Sequence, residues 1–396
     1  MSDHIEVSRK SFIGRIRDSI GGAVIGVILL LVGTGGLFWN EGRAVKRYKD
    51  LKEGAGAVVS VPSSDQVDPV VEGKLVHLTG ETKTASPLTD PDFGVSVSGL
   101  KLIRSVEMYQ WVEKTHTEKK EKLGGGTETV KRYNYEKKWR TDRVDSSQFK
   151  NSAGHNNPGM KYGSSTLLAE EVAFGAFSLP AFLVKRIGGA KPLAVESLDQ
   201  ASEEVRAGSR LHDGGVYVGD DPATPAIGDL RVRFSSVLNG PISVIAQQSG
   251  TTFRPYQTAT GGTIELVETG TVDAQGMFQR AHQRNNLLTW AIRLGGFVLL
   301  GTAFSMILGP IAAFSSIVPF LGRIAGTGVA IVGFLLGGIL SFLTVGVAWI
   351  YYRPALGIAV FVLAAVLLVF LVRTIRRRSA VPTRVPPMPE APPPLV

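Results

Sequence analysis

Residues 19–39 read SIGGAVIGVILLLVGTGGLFW, a stretch of 21 residues without a charged side chain. At ~1.5 Å per residue, a helix of this length crosses the ~30 Å hydrocarbon layer of a bilayer. The stretch is longer than the ~7–15 apolar residues of a cleaved signal peptide, and no Ala-x-Ala site follows it. The stretch ends in Trp39 and is followed by the charged Glu41 and Arg43, as at the end of a spanning helix. The sequence therefore predicts a retained membrane anchor behind a basic cytoplasmic arm at residues 1–18.

Composition changes along the chain of 396 residues, because both ends are apolar whereas residues 40–286 are mixed and polar. The chain has no cysteine, which excludes disulfides, thiolate metal sites and a catalytic cysteine. Its net charge is +9, but many of the basic residues flank apolar stretches, where the positive-inside bias explains them. We therefore predict no nucleic-acid partner.

Residues 40–286 carry the pattern of a β-rich domain. Short segments of period-two alternation, separated by Pro, Asp and Gly, recur between residues 58 and 268 and predict strands and turns. The segments 106–118 and 128–143 are predicted as two long strands, with Gly124, Gly125 and Gly126 in the turn between them. The polar loop at 151–161 leaves open a division of the domain into two sub-modules.

Three further spans are predicted after this domain, at residues 287–309, 324–351 and 355–372. Residues 310–323 have too few apolar positions between two prolines to cross a bilayer and are predicted as an interfacial connector. Arg293, near the start of its span, is expected to extend to the lipid headgroups. Residues 373–396 begin with a basic cluster and continue as a Pro-rich, disordered tail.

An even number of spans puts both termini on one side, which the basic cluster after the last span assigns to the cytoplasm. The predicted fold class is therefore a multi-pass α-helical membrane protein with four spans. Its large β-rich (α+β) extracytoplasmic domain lies between spans 1 and 2.

Catalytic and metal-binding patterns are missing from the sequence. The six histidines are scattered, and neither a Gly-x-Ser-x-Gly elbow nor a Gly-x-x-x-x-Gly-Lys loop occurs. No acidic residue lies between Asp273 and Glu390, although intramembrane carboxylates usually carry proton and cation coupling. We predict a protein that is not an enzyme and has no catalytic, cofactor-binding or metal-binding residues; a channel with a non-acidic pore stays open.

Glycines in two of the spans predict helix packing. Small residues four apart let two membrane helices approach closely, and glycines spaced 4, 7 and 4 share one helix face. The predicted packing positions are Gly22 and Gly26 in the first span and Gly322, Gly326, Gly333 and Gly337 in the third. We expect the third-span stripe to face the first span or a second copy of the chain.

Three short motifs resemble the transmembrane protein 43 family, also called LUMA. They comprise Asn40, Glu41, Gly42, Arg43 and Ala44; then Gly228, Asp229 and Arg231; and finally Tyr352, Arg353 and Pro354. The resemblance implies a non-enzymatic membrane protein that associates with other membrane proteins, in the endoplasmic reticulum and inner nuclear membrane of eukaryotes. The absence of cysteine and the Pro-rich tail favour a bacterial member, located in the inner membrane with its domain in the periplasm.

The sequence thus predicts an integral membrane scaffold that organises protein complexes or lipids through its β-rich domain. Its expected partners are the lipid bilayer and other membrane proteins, with a homo-oligomer as a further possibility. Two alternatives stay open at this point: a channel or transport component, and a membrane-bound enzyme.

Overall fold

The computed structural model describes residues 4–122, 126–315 and 319–355, and five single positions from 359 to 373. Most of the predicted fourth span and all of the tail after residue 373 lie outside the described residues. The helices are α1 (Phe12–Ala57), α2 (Ala181–Arg186), α3 (Glu203–Gly208), α4 (Ala274–Ile307), α5 (Gly309–Ser315) and α6 (Pro319–Tyr352).

The polar middle of the chain is rich in strands, as predicted. The strands are β1 (His4–Lys10), β2 (Val59–Ser60), β3 (Leu75–Thr84), β4 (Leu88–Thr89), β5 (Ser96–Val97), β6 (Gly99–Glu121), β7 (Thr127–Arg140), β8 (Ser165–Leu168), β9 (Val172–Phe174), β10 (Phe177–Ser178), β11 (Lys191–Leu193), β12 (Ser209–His212), β13 (Gly215–Val218), β14 (Leu230–Leu238), β15 (Pro241–Ser249), β16 (Thr252–Arg254), β17 (Tyr256–Gln257), β18 (Thr263–Ile264) and β19 (Leu266–Thr269). Two large sheets contain most of them.

The first sheet has the order β1-β7-β6-β14-β13-β12, with β8 on β6 and β11 on β14. The second sheet has the order β10-β9-β3-β15-β16, with β2 on β3 and β19 on β15. Strands from both sides of the loop at 151–161 pair in each sheet, as β6 does with β14 and β3 with β15. This loop therefore does not divide the domain into two sub-modules.

The predicted hairpin is confirmed, and its paired strands are close in length to the predicted segments. Strands β6 and β7 pair antiparallel from Met108 opposite Arg140 to Glu121 opposite Thr127. At ~3.3 Å per residue, β6 extends about 40 Å from Tyr109 to its end. Tyr133 and Tyr135, which lie on one face of β7, are buried.

The N-terminal arm forms a strand rather than a free lead-in. Strand β1 pairs antiparallel with the outer half of β7, from His4 opposite Tyr133 to Lys10 opposite Thr127. The arm therefore shares a sheet with the domain, although the predicted topology places the two segments on opposite sides of a bilayer. Ser11 then caps α1 by accepting from the backbone N–H of Gly14 at 3.2 Å.

Three helices among the described residues are long and apolar enough to cross a membrane: α1, α4 and α6. Helix α1 continues beyond the predicted span as one helix of 46 residues, so the charged segment after Trp39 is not a separate element. Helix α4 begins at Ala274, before the predicted span at 287–309, and the side chain of Asp273 caps it. Helix α5 occupies the first part of the predicted connector.

A buried apolar cluster, here called the junction core, joins the long helices to the domain. It contains Leu51 of α1, Leu75 of β3, Ile245 of β15 and Met277 and Phe278 of α4. Burial of a large apolar side chain contributes about 1.5–3 kcal/mol, so this cluster holds both helices firmly against the second sheet. The domain and the helix bundle therefore share one continuous framework at this end.

Candidate functional site at the helix–domain junction

A buried carboxylate, Glu41, follows the apolar stretch of α1, and its side chain is only 2% exposed. Its Oε1 and Oε2 accept from two guanidinium nitrogens of Arg293 on α4, each at 2.7 Å. The indole Nε1 of Trp349 on α6 donates to Oε2 at 2.9 Å. A single carboxylate therefore connects α1, α4 and α6.

The Glu41–Arg293 pair has the bidentate geometry that makes such contacts strong and directional. The guanidinium also lies 4.8 Å from the ring centre of Trp290 and 5.7 Å from that of Trp349, which are cation–π distances. Arg293 is thus held inside the junction, and the prediction that it extends to the headgroups is wrong. Its attraction to a buried carboxylate outweighs its tendency to reach water.

Hydrogen bonds between α1 and α4 surround this pair. Arg43 donates to Asn40 Oδ1 at 3.1 Å, to Asn285 Oδ1 at 3.2 Å and to Thr289 Oγ1 at 3.1 Å. The amide of Asn285 donates in turn to the backbone oxygen of Ala44 at 3.1 Å. Because buried polar groups are costly without partners, these bonds fix the register of α1 on α4.

The first and third motifs meet at the junction. A Cβ built on Gly42 would lie 2.6 Å from the ring of Tyr352, so this ring packs directly on the glycine and would have to shift for a larger residue. The guanidinium of Arg353 lies 5.8 Å from the ring centre of Tyr48. Pro354 directly follows Arg353 at the end of α6. The structure therefore explains why residues 40–44 and 352–354 belong to one site.

The second motif lies elsewhere, where β14 begins in the first sheet. Gly228 has a φ of +101°, a conformation that favours glycine. Asp229 accepts from the hydroxyl of Tyr217 at 2.5 Å, and burial, reinforced by this carboxylate, raises the pKa of Tyr217. The guanidinium of Arg231 stacks 4.0 Å over Trp139. These contacts brace the strand, and the structure does not bring this motif to Glu41.

The glycine stripe of α6 contacts α4. A Cβ on Gly333 would lie 2.3 Å from Ser305 Oγ, and one on Gly337 would lie 2.4 Å from the backbone nitrogen of Gly301. The expectation that the first span is the neighbour is therefore wrong for these two positions, since α4 lies there. At Gly322 and Gly326 the structure describes only the backbone, so the contacts of these two glycines lie outside the described part of the chain.

Helix α1 uses one of its two predicted packing glycines, again against α4. A Cβ on Gly26 would lie 2.7 Å from the backbone oxygen of Ala303 and 2.9 Å from Ile307. Gly22 has no atom within 4 Å of such a Cβ. Helix α4 is thus the central helix, and both neighbours approach it through glycine.

Sequence reasoning missed four members of the site: Asn285, Thr289, Arg293 in its actual role, and Trp349. A signal was present, because Glu41 immediately follows one apolar stretch and Arg293 lies within another. Two opposite charges at the same boundary of a bilayer favour a pair. Within the described ranges, no group of three His, Asp or Glu side chains is placed to hold a metal ion.

Comparison with known proteins agrees with the motifs. The family model for transmembrane protein 43 matches residues 108–354. The chain belongs to the transmembrane protein 43 family. It is 32% identical to transmembrane protein 43 of Rattus norvegicus over 397 residues, covering 96% of each chain. It is also 32% identical to the Homo sapiens protein, over 89% of this chain and 90% of that one.

A Drosophila melanogaster homolog is equally similar, at 32% identity over 85% of this chain and 90% of its own length. No solved structure matches the chain. The region matched by the family model contains Arg293 and Trp349 of the junction, whereas Glu41 precedes it. Family membership and the three apolar helices together make this a membrane protein.

Proposed function

We propose that this protein is a non-enzymatic integral membrane scaffold, whose β-rich domain organises proteins or lipids on the extracytoplasmic side. One observation carries the proposal: α1 and α4 run unbroken from bilayer-length apolar segments into the junction core. A partner held by the domain would therefore be held at a fixed position relative to the bundle.

The end of α1 strengthens this attachment through polar contacts with the domain. Asp50 is buried and accepts from the hydroxyl of Thr258 at 2.6 Å. Glu53 accepts from the backbone N–H of Ala259 at 3.0 Å, and Arg47 donates to the backbone oxygen of Thr263 at 2.6 Å. These contacts resist tilting of the domain on the bundle, which is a property that a scaffold requires.

The location is part of the proposal. The basic residues after the last predicted span support cytoplasmic termini and an extracytoplasmic domain. The absence of cysteine supports a bacterial inner membrane with the domain in the periplasm; in a eukaryotic cell, the resemblance supports the endoplasmic reticulum or inner nuclear membrane. The proposed partners are other membrane proteins, with a second copy of the chain as one candidate.

Affinity purification of the full chain in mild detergent, followed by mass spectrometry, tests the scaffold directly. We expect partner proteins in fixed stoichiometry, and we expect Asp50→Ala with Glu53→Ala to reduce their recovery without removing the chain from membranes. If the chain is recovered without partner proteins and conducts ions in reconstituted liposomes, the scaffold proposal is wrong and the protein is a channel.

A further inference from the structure

A pocket of about 490 Å³ lies beside the junction, at the boundary between the apolar and the polar part of α1. It is lined by Trp39, Gly42, Arg43, Val45, Lys46, Lys49, Thr260 and Tyr352. Three of these residues are basic and none is acidic. Its position and charge distinguish it from the Glu41–Arg293 pair, which is closed within the bundle.

The basic residues of the pocket form no described ion pair, although Glu41 attracts Arg43 electrostatically and Asp50 accepts a hydrogen bond from the lining residue Thr260. Arg43 donates only to amide and hydroxyl oxygens, and Lys46 reaches the backbone oxygen of Gly261 at 3.4 Å. Lys49 has no described hydrogen-bond or ion-pair partner within residues 4–122, 126–315 and 319–355. The nearby Glu41 is neutralised by Arg293. The lining therefore carries three positive charges against the single carboxylate of Asp50 at its edge, and this balance favours an anion.

An exposed apolar stripe runs from the pocket along α1 toward its N-terminus. Positions 28, 32, 35, 39, 42, 46 and 49 are three or four apart and therefore share one helix face. Ile28 and Val32 are 55% and 61% exposed, and Trp39 is 63% exposed. Gly35 has no side chain and lies on this face between the exposed Val32 and Trp39, so the stripe has a shallow depression here, called the groove below.

We propose that this pocket binds the phosphate headgroup of an anionic phospholipid, with an acyl chain along the groove at Gly35. Basic pockets at a membrane boundary recognise such headgroups, and interfacial aromatic residues such as Trp39 lie at the headgroup level. The apolar stripe favours a lipid over a free phosphate ion, since a soluble anion would leave the groove uncovered. This inference rests on the proposed membrane scaffold, and it adds an anionic phospholipid as one of the lipids that the scaffold binds.

Native mass spectrometry of the detergent-purified full chain tests the proposal with phosphatidylglycerol and phosphatidylcholine of identical acyl chains. We expect phosphatidylglycerol adducts to dominate. The preference should fall about thirty-fold in Lys46→Gln with Lys49→Gln, because each basic residue near an anionic surface contributes several-fold in affinity. The matched control is Lys52→Gln with Lys74→Gln, which removes the same charge from exposed positions outside the pocket.

Two results would overturn the assignment: an unchanged preference in the Lys46 and Lys49 variant, or an equal loss in the control. Glycerophosphoglycerol, the headgroup without acyl chains, separates the two sources of phosphate. If it competes as well as the intact lipid, the pocket takes a soluble phosphate and the groove has no role. Carbonate extraction of the same variants tests separately whether they remain in the membrane, because membrane insertion does not depend on this pocket.

Discussion

The two ends of α1 are attached to the rest of the molecule in opposite ways. At its C-terminal end, Leu51 and Asp50 are buried against the second sheet and its neighbouring loops. At its N-terminal end, strand β1 lies on the outer half of the hairpin, where Ile5 and Val7 are about half exposed. The first attachment is an apolar core with one buried ion pair and buried hydrogen bonds, and the second is a strand added at the edge of a sheet with exposed ion pairs.

This difference indicates which attachment survives a change of environment. Side chains enclosed by the protein have little contact with the surrounding water, detergent or lipid, whereas an exposed strand opens more easily and can be used elsewhere. We therefore expect the junction to persist in detergent and in a bilayer, and β1 to depend on conditions. The following predictions test this expectation, beginning with the largest effect.

Arg293→Ala should have the largest effect, because it leaves Glu41 charged, buried and without its ion-pair partner. Loss of one member of a buried ion pair typically costs about 3–5 kcal/mol. We expect a large drop in the melting temperature of the full chain in detergent, or a failure to accumulate in membranes. The control on the same helix is Arg284→Ala, whose side chain is 67% exposed and pairs with Glu268. It should change stability by less than about 1 kcal/mol.

The double variant Glu41→Leu with Arg293→Leu refines this test. Replacing both members of a buried pair with apolar residues is often close to neutral, since no charge is left unpaired. It should therefore recover much of the stability that Arg293→Ala loses. If the double variant is as unstable as the single one, an unpaired Glu41 is not the cause of the loss, and Arg293 stabilises the junction through packing instead.

Gly333→Leu should have the next largest effect, because its side chain would overlap Ser305 on α4. Overpacking of a close contact typically costs about 1–3 kcal/mol. The control is Gly328→Leu on the same helix, since a Cβ there has no atom within 4 Å and leucine is a better helix former. Melting temperatures in detergent should fall for the first variant and stay level or rise for the second. Equal melting temperatures of the two variants would show that the glycine stripe does not act through packing on α4.

Much of the fold could be predicted from local patterns. The 21 uncharged residues before Asn40, the period-two segments and the three glycines after Leu123 each indicate one kind of element within a short window. The full extent of β6, residues 99–121, could not be read in this way, because the polar Arg104 and Gln110 occupy buried positions and interrupt the apolar alternation. The pairing of β1 with β7 could not be predicted either, since an edge strand has little sequence signal of its own.

The candidate site was predicted only in part for a related reason. Residues 40–44 and 352–354 stand out as motifs, but their contact depends on the way α1 and α6 pack on α4. Arg293 shows the limit clearly, because a basic residue at a span end has two stable options: headgroups or a buried carboxylate. The choice depends on Glu41, which is 252 positions away in the chain.

The next prediction concerns the N-terminal arm, which pairs with the hairpin in the structure but lies on the other side of the bilayer in the predicted topology. The hairpin runs alongside the bundle, and a cleft at its tip is lined by Lys119 and Thr127 together with Arg15 of α1 and Gly309 of α5. The outer part of the hairpin carries charged side chains on both faces, for example Lys114 and Lys119 of β6. It therefore cannot lie in lipid. In a bilayer that α1 crosses, β1 and β7 are therefore separated.

A disulfide reports this pairing, because the native chain has no competing thiol. Val7 lies opposite Val130, at a separation that a disulfide can bridge in paired strands. We expect Val7→Cys with Val130→Cys to cross-link readily in detergent and poorly in liposomes. Phe12→Cys with Val130→Cys is the control for random collisions. Efficient cross-linking in liposomes would mean that α1 does not cross the bilayer and would overturn the two-sided topology.

The smallest effect expected is a pH dependence of the arm in detergent. The pKa of Glu6 is lowered from its ordinary 4.5 by the hydrogen bond from Tyr133 and by Lys150. The pKa of Glu128 is lowered from the same value by Lys122, which belongs to the hairpin itself, and by Arg9 of the arm, so only the Arg9 contribution depends on docking. Because both pKa values are depressed in the docked state, the carboxylates stabilise it fully above pH 4.5. Their contribution is lost as the pH falls through the lowered pKa values, when both groups become protonated.

A nitroxide label at Val7→Cys measures this change, since docking on β7 restricts its motion. The electron paramagnetic resonance spectrum should show an immobilised label at pH 7 and a growing mobile component below pH 4. Glu6→Gln with Glu128→Gln should show the same mobile fraction at both pH values, because neither amide titrates. The contacts are exposed and solvent weakens them, so a partial change is expected, and added salt should reduce it further. A label that stays immobile at every pH would show that backbone pairing alone holds the arm. The attachment of the arm would then be as insensitive to pH as we expect the junction to be.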